Sequence, residues 1–259
     1  MQYSTITYTI EQRTAIVTLN RPDQKNALDD VMIRELTEVF TTLNRNTQAR
    51  TVVLTGSGNS FCAGMDLGYL QKFSLLSQEE NIEDARNLLA LLQLIHHLKK
   101  PVIAMVNGSA LGGGCGIAAA CDFVFVAKSA KIGVPEVRLG FVPAVILLFV
   151  MKRMGEGAAR EFVLRGDILD ASTAKERRLV TEVVEDDKLR PAVFEFAETL
   201  ARTTSPSSIS LTKDLFQRFD EMDERDAVHY AVQLNALARK TDDFKKGIEA
   251  FLKKEKLQW

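Results

Sequence analysis

Three short runs, VVL at 52–54, VIAMV at 102–106 and FVFVA at 123–127, are apolar at successive positions and rich in β-branched and aromatic residues. A strand that alternates can leave one face in water, whereas a strand apolar throughout must be covered on both faces. Each run is followed by a loop of small residues or a turn and then by helical periodicity. Strand and helix in that alternation build a largely parallel sheet with helices packed against it, so the fold class is α/β.

The flanking segments fit this frame. ITYTI at 6–10 and AIVTL at 15–19, separated by EQR, predict a hairpin, and Met32, Leu36, Val39, Phe40 and Leu43 recur at helical spacing behind a cap at Asp29 or Asp30. A second helix is predicted over 78–98, with Ile82, Ala85, Leu88, Leu89, Leu92 and Ile95 on its apolar face and Pro101 as its stop. The run Leu139–Met151 contains Pro143 and is shorter than the roughly 20 residues a membrane helix needs, so it is read as buried structure. Past residue 185 only helical patterns follow. The expected division is therefore a core over 1–185 and a helical region over 186–259.

With 46% hydrophobic residues among 259, the chain can bury a sizeable core. Its 33 basic and 34 acidic residues give a formal net charge of -1, which supplies no general attraction to nucleic acid or to an anionic membrane. A polyanionic ligand must be met by a local cluster. The opening MQYSTITYTIEQR lacks the pattern of a secretory signal, and Cys62, Cys115 and Cys121 are an odd set, so reduced thiols and a cytoplasmic location are expected.

LGGGCG at 111–116 needs a reason, because glycine weakens helices and strands by about 0.5–1 kcal/mol relative to alanine. A dinucleotide site requires Gly or Ala where Ile117 stands, and no Lys-Ser or Lys-Thr follows for a P-loop. His96 and His97 are adjacent and His229 is isolated, so no metal site is expected, and no Gly-x-Ser-x-Gly elbow occurs. Two loops remain, SFCAGMDL at 60–67 and NGSALGGGCG at 107–116, each after a predicted strand and before a helix. They serve either as tight turns or as a backbone cradle whose free N–H groups hold a developing negative oxygen. Glu136 stands among Ile132, Val134, Val137, Leu139 and Phe141. It is either ion-paired, to Arg138 for instance, or desolvated with a raised pKa suited to proton transfer.

Taken in order, LNRPDQKNAL, SFCAGMDL, NGSALGGGCG, AACDFVFVA and IGVPEVRLGFVPA resemble the crotonase, or enoyl-CoA hydratase/isomerase, superfamily through nearly the whole chain. The resemblance implies a spiral of ββα units, a C-terminal helical trimerisation region, a homotrimer or homohexamer, and an acyl-CoA thioester substrate. Coenzyme A then arrives as part of the substrate, with no separate cofactor, metal, nucleic acid or membrane. On that model the backbone N–H groups of Ala63 and Gly113 form the oxyanion hole and Glu136 is the catalytic acid/base. Lys25, Ala27, Ala63, Gly64, Met65, Asp66 and Gly113 are the expected substrate-binding positions, with Asp66 bracing its loop.

Two departures stand out. Family hydratases carry a second glutamate where this chain has Gly116, and many relatives have a glycine-rich segment after the proline where this chain has GFVPAV. One carboxylate suffices to carry a proton between carbons, so isomerisation is slightly favoured. Hydration by Glu136 with water held by backbone or by Glu79, Glu80, Glu83 or Asp84 is the first alternative, and a non-catalytic acyl-CoA binder is the second.

Overall fold

The structure is a computed structural model that describes residues 3–259, apart from the side chain of Asp220. The chain opens with β1 (Ile6–Glu11) and β2 (Thr14–Leu19), then α1 (Asp30–Arg45). A second unit follows with β3 (Thr51–Gly56), β4 (Ser60–Cys62), α2 (Leu67–Phe73) and α3 (Gln78–His96). The third is β5 (Val102–Val106), β6 (Ser109–Leu111) and α4 (Gly113–Ala120), and the fourth is β7 (Phe123–Ala127), β8 (Lys131–Gly133), α5 (Ala144–Met154) and α6 (Glu156–Arg165). After β9 (Ile168–Asp170), α7 (Ala171–Glu176) and β10 (Glu182–Val184), the chain is helical through α8 (Leu189–Thr203), α9 (Pro206–Glu221), α10 (Glu224–Ala238) and α11 (Asp242–Lys253).

The first strands of successive units form one sheet, in the order β1-β2-β3-β5-β7-β10, parallel except for the β1–β2 hairpin. Its central strands are buried along their whole length, as continuous apolar runs require, while the edge strand β1 alternates. The second strands, only three residues each, form a separate sheet in the order β4-β6-β8-β9. The ββα repetition implied by the family resemblance is thus present as two strand layers wound around one core.

Local chemistry accounts for the helix boundaries. Asp29 caps α1 by accepting from the Met32 N–H, and Ser77 with Glu80 forms a reciprocal capping box on α3. Helix α3 ends at His96, and its buried face is Leu88, Leu91, Leu92 and Ile95, with Ile82 exposed. Helix α8 lays Leu189, Val193 and Ala197 into the same hydrophobic cluster as the sheet. The Leu139–Met151 run departs from the expectation of burial. From Ala144 onward it lies in α5, whose buried face is Ile146, Phe149 and Val150 with Leu148 on the exposed side, while Leu139, Phe141 and Val142 are exposed in the 3-10 turn and loop before that helix. No helix of the described residues is long and apolar enough to cross a membrane.

Candidate active site

Strands β4 and β6 are parallel neighbours, so the loops that leave them, 63–66 and 112 onward, emerge side by side. Helix α4 has no side-chain cap, and its first internal bond runs from the Gly116 N–H to the Gly112 carbonyl. The N–H groups of Gly113, Gly114 and Cys115 therefore have no partner among the described residues, the state that suits a helix start to an incoming anion. Small residues are required by contact as well. A Cβ on Gly114 would lie 2.3 Å from the Cys62 carbonyl oxygen, and one on Gly113 would lie 2.9 Å from Leu28 Cδ1 and 4.0 Å from Met65 Sδ.

The 63–66 loop is held against residues 25–28. The Ala63 N–H donates to the Lys25 carbonyl at 3.0 Å, the Leu28 N–H to the Gly64 carbonyl and the Asp66 N–H to the Leu28 carbonyl, both at 2.8 Å. This corrects the expected oxyanion donor. Ala63 already uses its N–H inside the fold, whereas the Met65 N–H has no bond among the described residues and Met65 sits beside Gly113. Lys25 and Ala27 lie in this pairing, Lys25 with a left-handed backbone and an exposed ammonium, Ala27 buried with its carbonyl accepting from Arg21. The Asp66 carboxylate accepts from the Gly68 and Tyr69 N–H groups and from Arg21, so it braces the loop.

Arg21 is a positioning residue that the sequence motifs did not single out. Its guanidinium pairs with Asp29 at 3.0 Å and Asp66 at 3.2 Å and donates to the Ala27 carbonyl at 2.7 Å, tying the two loops together. Buried Asn26 completes the tie, donating to the Ser57 and Ser60 carbonyls and accepting from the Arg21 N–H. The signal was present as an Arg-Pro pair followed by an Asn between turn residues, but nothing in one sequence says which loop they bridge.

Glu136 begins a short 3-10 turn (Glu136–Leu139) and reaches back to the start of α4. A Cβ on Gly112 would lie 2.8 Å from Glu136 Oε1, and Gly112 itself has φ +51, a conformation L side chains avoid. Arg138 does not pair with Glu136; it reaches Asp167 at 3.5 Å. Oε2 of Glu136 is buried and has no hydrogen-bond partner, and burial pushes the carboxyl above the usual carboxylate range.

One turn further along α4, Gly116 is occupied in a different way. A Cβ there would lie 2.3 Å from Ile146 Cγ2 on α5. The two departures from the family pattern are thus in contact, since Ile146 fills the space a side chain at 116 would need. In the 79–84 stretch Glu79 is exposed with no side-chain partner among the described residues, whereas the other three carboxylates are engaged. Glu80 caps α3, Glu83 pairs with Arg86, and Asp84 accepts from the Tyr69 hydroxyl. The cysteines are buried, and burial pushes the Cys62 and Cys121 thiols up to about 12, far from a nucleophile's range. His96 packs its ring edge-on against Phe149.

A two-layer ββα core with a helix-start cradle and one orphan carboxylate is the arrangement against which comparison is informative. The enoyl-CoA hydratase/isomerase family model matches residues 9–259. The chain belongs to the enoyl-CoA hydratase/isomerase family. Among curated relatives of this family, it is 34% identical to a crotonyl-CoA hydratase of Syntrophomonas wolfei, covering 99% of this chain and 98% of the relative. It is 32% identical to the 2,3-dehydroadipyl-CoA hydratase of Escherichia coli over 94% of both. Among solved structures, an enoyl-CoA hydratase from Shewanella pealeana superposes with a TM-score of 0.93 at 30% identity, covering 100% of this chain and 97% of that one. The crotonase-type fold is therefore shared through the helical C-terminal region as well as the core.

Proposed function

We propose that this family member acts on an enoyl-CoA thioester with Glu136 as its single side-chain acid/base, and that it moves a double bond from the 3 to the 2 position. The observation that carries this reading is the buried, unpartnered Oε2 of Glu136 beside the start of α4. Leaving a carboxylate desolvated and unpaired costs stability, and a raised pKa near the working pH is what proton transfer requires. The Glu136 carboxylate takes a proton from the α-carbon. The electron pair moves onto the thioester oxygen, where the N–H groups of Gly113 and Met65 donate to it. The Glu136 carboxylic acid then returns the proton at the γ-carbon, giving the 2-enoyl thioester. Two fixed donors favour the enolate over the ground state, and removing one such donor typically costs about 10²–10³ in rate.

Coenzyme A enters as part of the substrate in this reading, and no separate cofactor takes part. Exposed apolar side chains on the last three helices, Phe216, Val232, Phe251 and Leu252 among them, support a trimer or a hexamer built of two trimers. A cytoplasmic location, in keeping with three free buried cysteines, belongs to the same reading.

The names of the relatives favour a second reading, hydration of a 2-enoyl-CoA, with water positioned by a group other than a residue at 116. Assays of the purified chain with 3-enoyl-CoA and with 2-enoyl-CoA separate the two. Isomerisation of the former exceeding hydration of the latter is expected, and the reverse order transfers the proposal to hydration. General acid/base catalysis contributes about 10²–10⁴, so Glu136→Gln should lower kcat by that range with KM within a few-fold. Unchanged turnover in Glu136→Gln would remove Glu136 from the chemistry. Tight acyl-CoA binding with no α-proton exchange in deuterated water would leave only a binder.

A further inference from the structure

The largest cleft among those described, about 620 Å³, lies where β3 and β5 begin, whereas Glu136 and the oxyanion donors lie beyond the ends of β4 and β6. Its lining includes Arg13, Arg45, Arg50, Lys99 and Lys100, and no acidic side chain among the described residues. None of the five is within ion-pair distance of a described Asp or Glu side chain, although Arg13 meets the last main-chain oxygen of the sequence, that of Trp259. Other exposed cations do have an acid beside them, as in Lys128–Glu185, Arg160–Glu156 and Lys175–Glu182. In a chain with 34 acidic residues against 33 basic ones, five cations gathered without an acid need a reason.

Capping explains only part of the cluster. Lys100 Nζ donates to the Leu43 carbonyl at the end of α1, Arg50 to the Thr204 carbonyl at 2.8 Å, and Arg13 to the Trp259 carbonyl. Those bonds fix the three side chains in place while leaving most donors of the two guanidiniums and of the Lys100 ammonium free. Arg45 and Lys99 have no side-chain partner among the described residues and are exposed at the rim. The nearest acid to Arg50 is Asp243, whose carboxylate is already held by the Ser205 and Ser207 hydroxyls at 2.7 Å. Like charge and burial also depress the protonation of Arg50 and Lys100, a strain that an incoming anion would relieve. Arg13 is aimed into the cleft by a two-residue hairpin turn in which both Gln12 and Arg13 have positive φ, 45 and 70, where glycine or asparagine is usual. Its carbonyl accepts from the Arg50 N–H at 2.6 Å, so the turn and the second arginine are one unit.

We infer that this cleft is a second ligand site, separate from the acyl-CoA site, and that it takes a small molecule through a pyrophosphate group. Guanidinium forks and point-charge ammonium groups together match phosphate oxygens, and five cations exceed what a single phosphate dianion neutralises.

Isothermal titration of the full chain with inorganic pyrophosphate tests the inference, with inorganic phosphate and ADP as parallel probes. One saturable site per chain is expected, weaker for phosphate than for pyrophosphate. ADP binding at least as well as pyrophosphate would make an organic diphosphate the source; pyrophosphate binding better would make it the free ion. Arg45→Gln combined with Lys99→Gln, both at unpartnered exposed side chains, should weaken pyrophosphate by at least about tenfold at fixed ionic strength with the melting temperature unchanged. Lys25→Gln, on the opposite loops, should leave it unaltered. No saturable binding, equal affinity in the double variant, or loss of binding in Lys25→Gln would each overturn the inference.

Discussion

Gly112 and Gly116 stand one helical turn apart and make room for opposite things. At Gly112 the missing Cβ admits a carboxylate, Glu136 Oε1, to the open start of α4. At Gly116 the missing Cβ admits a methyl, Ile146 Cγ2, to the closed side of the same helix. The first contact places a desolvated carboxylate beside unpaired N–H groups. The second seals with hydrocarbon the place where family hydratases, on the resemblance, carry another acid. Residue type alone therefore says little about a glycine; what approaches it decides whether the position belongs to chemistry or to packing.

The sharpest way to break this comparison is to give both glycines the same side chain. In Gly112→Ala the new Cβ meets a carboxylate oxygen at 2.8 Å on a backbone with φ +51, so Glu136 must move and the turn is strained. Misplacement of a reacting group by about 1 Å can cost about 10² in rate, and kcat on the preferred enoyl-CoA should fall by that order. In Gly116→Ala the loss should fall on stability instead. Overpacking of this kind costs about 1–3 kcal/mol, read from denaturant midpoints, with kcat changed little once the protein is folded. Equal losses of kcat in both variants would erase the distinction.

Ile146 sharpens the second half. Ile146→Ala should cost about 2–5 kcal/mol as a cavity, but Gly116→Ala added to it should cost less than the sum, because each change fits the other. A coupling of about 1 kcal/mol or more in the double-mutant cycle is expected; strict additivity would mean that Gly116 and Ile146 do not determine one another. Placing Glu at 116 in an Ile146→Gly background should raise hydration of 2-enoyl-CoA relative to isomerisation, and Glu at 116 alone should not.

How much of this was legible beforehand differs between the two glycines. The parallel sheet, the hairpin, a cap at Asp29 or Asp30 and the helical tail followed from apolar runs, periodicity and cap chemistry, which are local properties. Gly112–Gly114 and Glu136 stood out because glycine clusters and a carboxylate in an apolar run are locally costly. Gly116 was visible as a departure from a pattern and Ile146 stands just past the second departure, GFVPAV, yet their contact joins positions 30 residues apart and no spacing rule connects them. The three-residue strands β4, β6 and β8 were hidden within loop motifs, since such short strands carry too little alternation to register. That the Ala63 N–H is engaged and the Met65 N–H is not has the same cause: which N–H is free depends on Lys25, 38 residues from Ala63.

The pH dependence of the rate tests the desolvation half of the argument at smaller amplitude. Glu136 works as a base only when ionised, and burial raises its pKa, so the acidic limb of kcat/KM should lie above the ordinary glutamate value of about 4.3. As pH falls through the raised value, the carboxylate takes up a proton from solvent and the rate drops about tenfold per unit. Gly112→Ala, by pushing the carboxylate out of its dry seat, should move that limb back downward; a limb at the same pH in both proteins would show that burial beside Gly112 does not set the pKa.

The smallest expected effect concerns Arg21, which touches neither glycine. Its pairs with Asp29 and Asp66 are about one-fifth exposed, so solvent screens them only in part. A hydrogen bond to a charged group contributes about 1.5–3 kcal/mol, and Arg21→Gln should lower stability by about that much at most. If Arg21 acts by aligning residues 25–28 with 63–66, acyl-CoA should also bind a few-fold more weakly, with KM rising more than kcat falls. Arg21→Lys keeps one charge but loses the fork that reaches Asp29, Asp66 and the Ala27 carbonyl together, so it should recover stability better than it recovers KM. Equal recovery of both would reduce Arg21 to a stabilising pair and leave the alignment of the Met65 N–H to the Leu28–Met65 pairing alone.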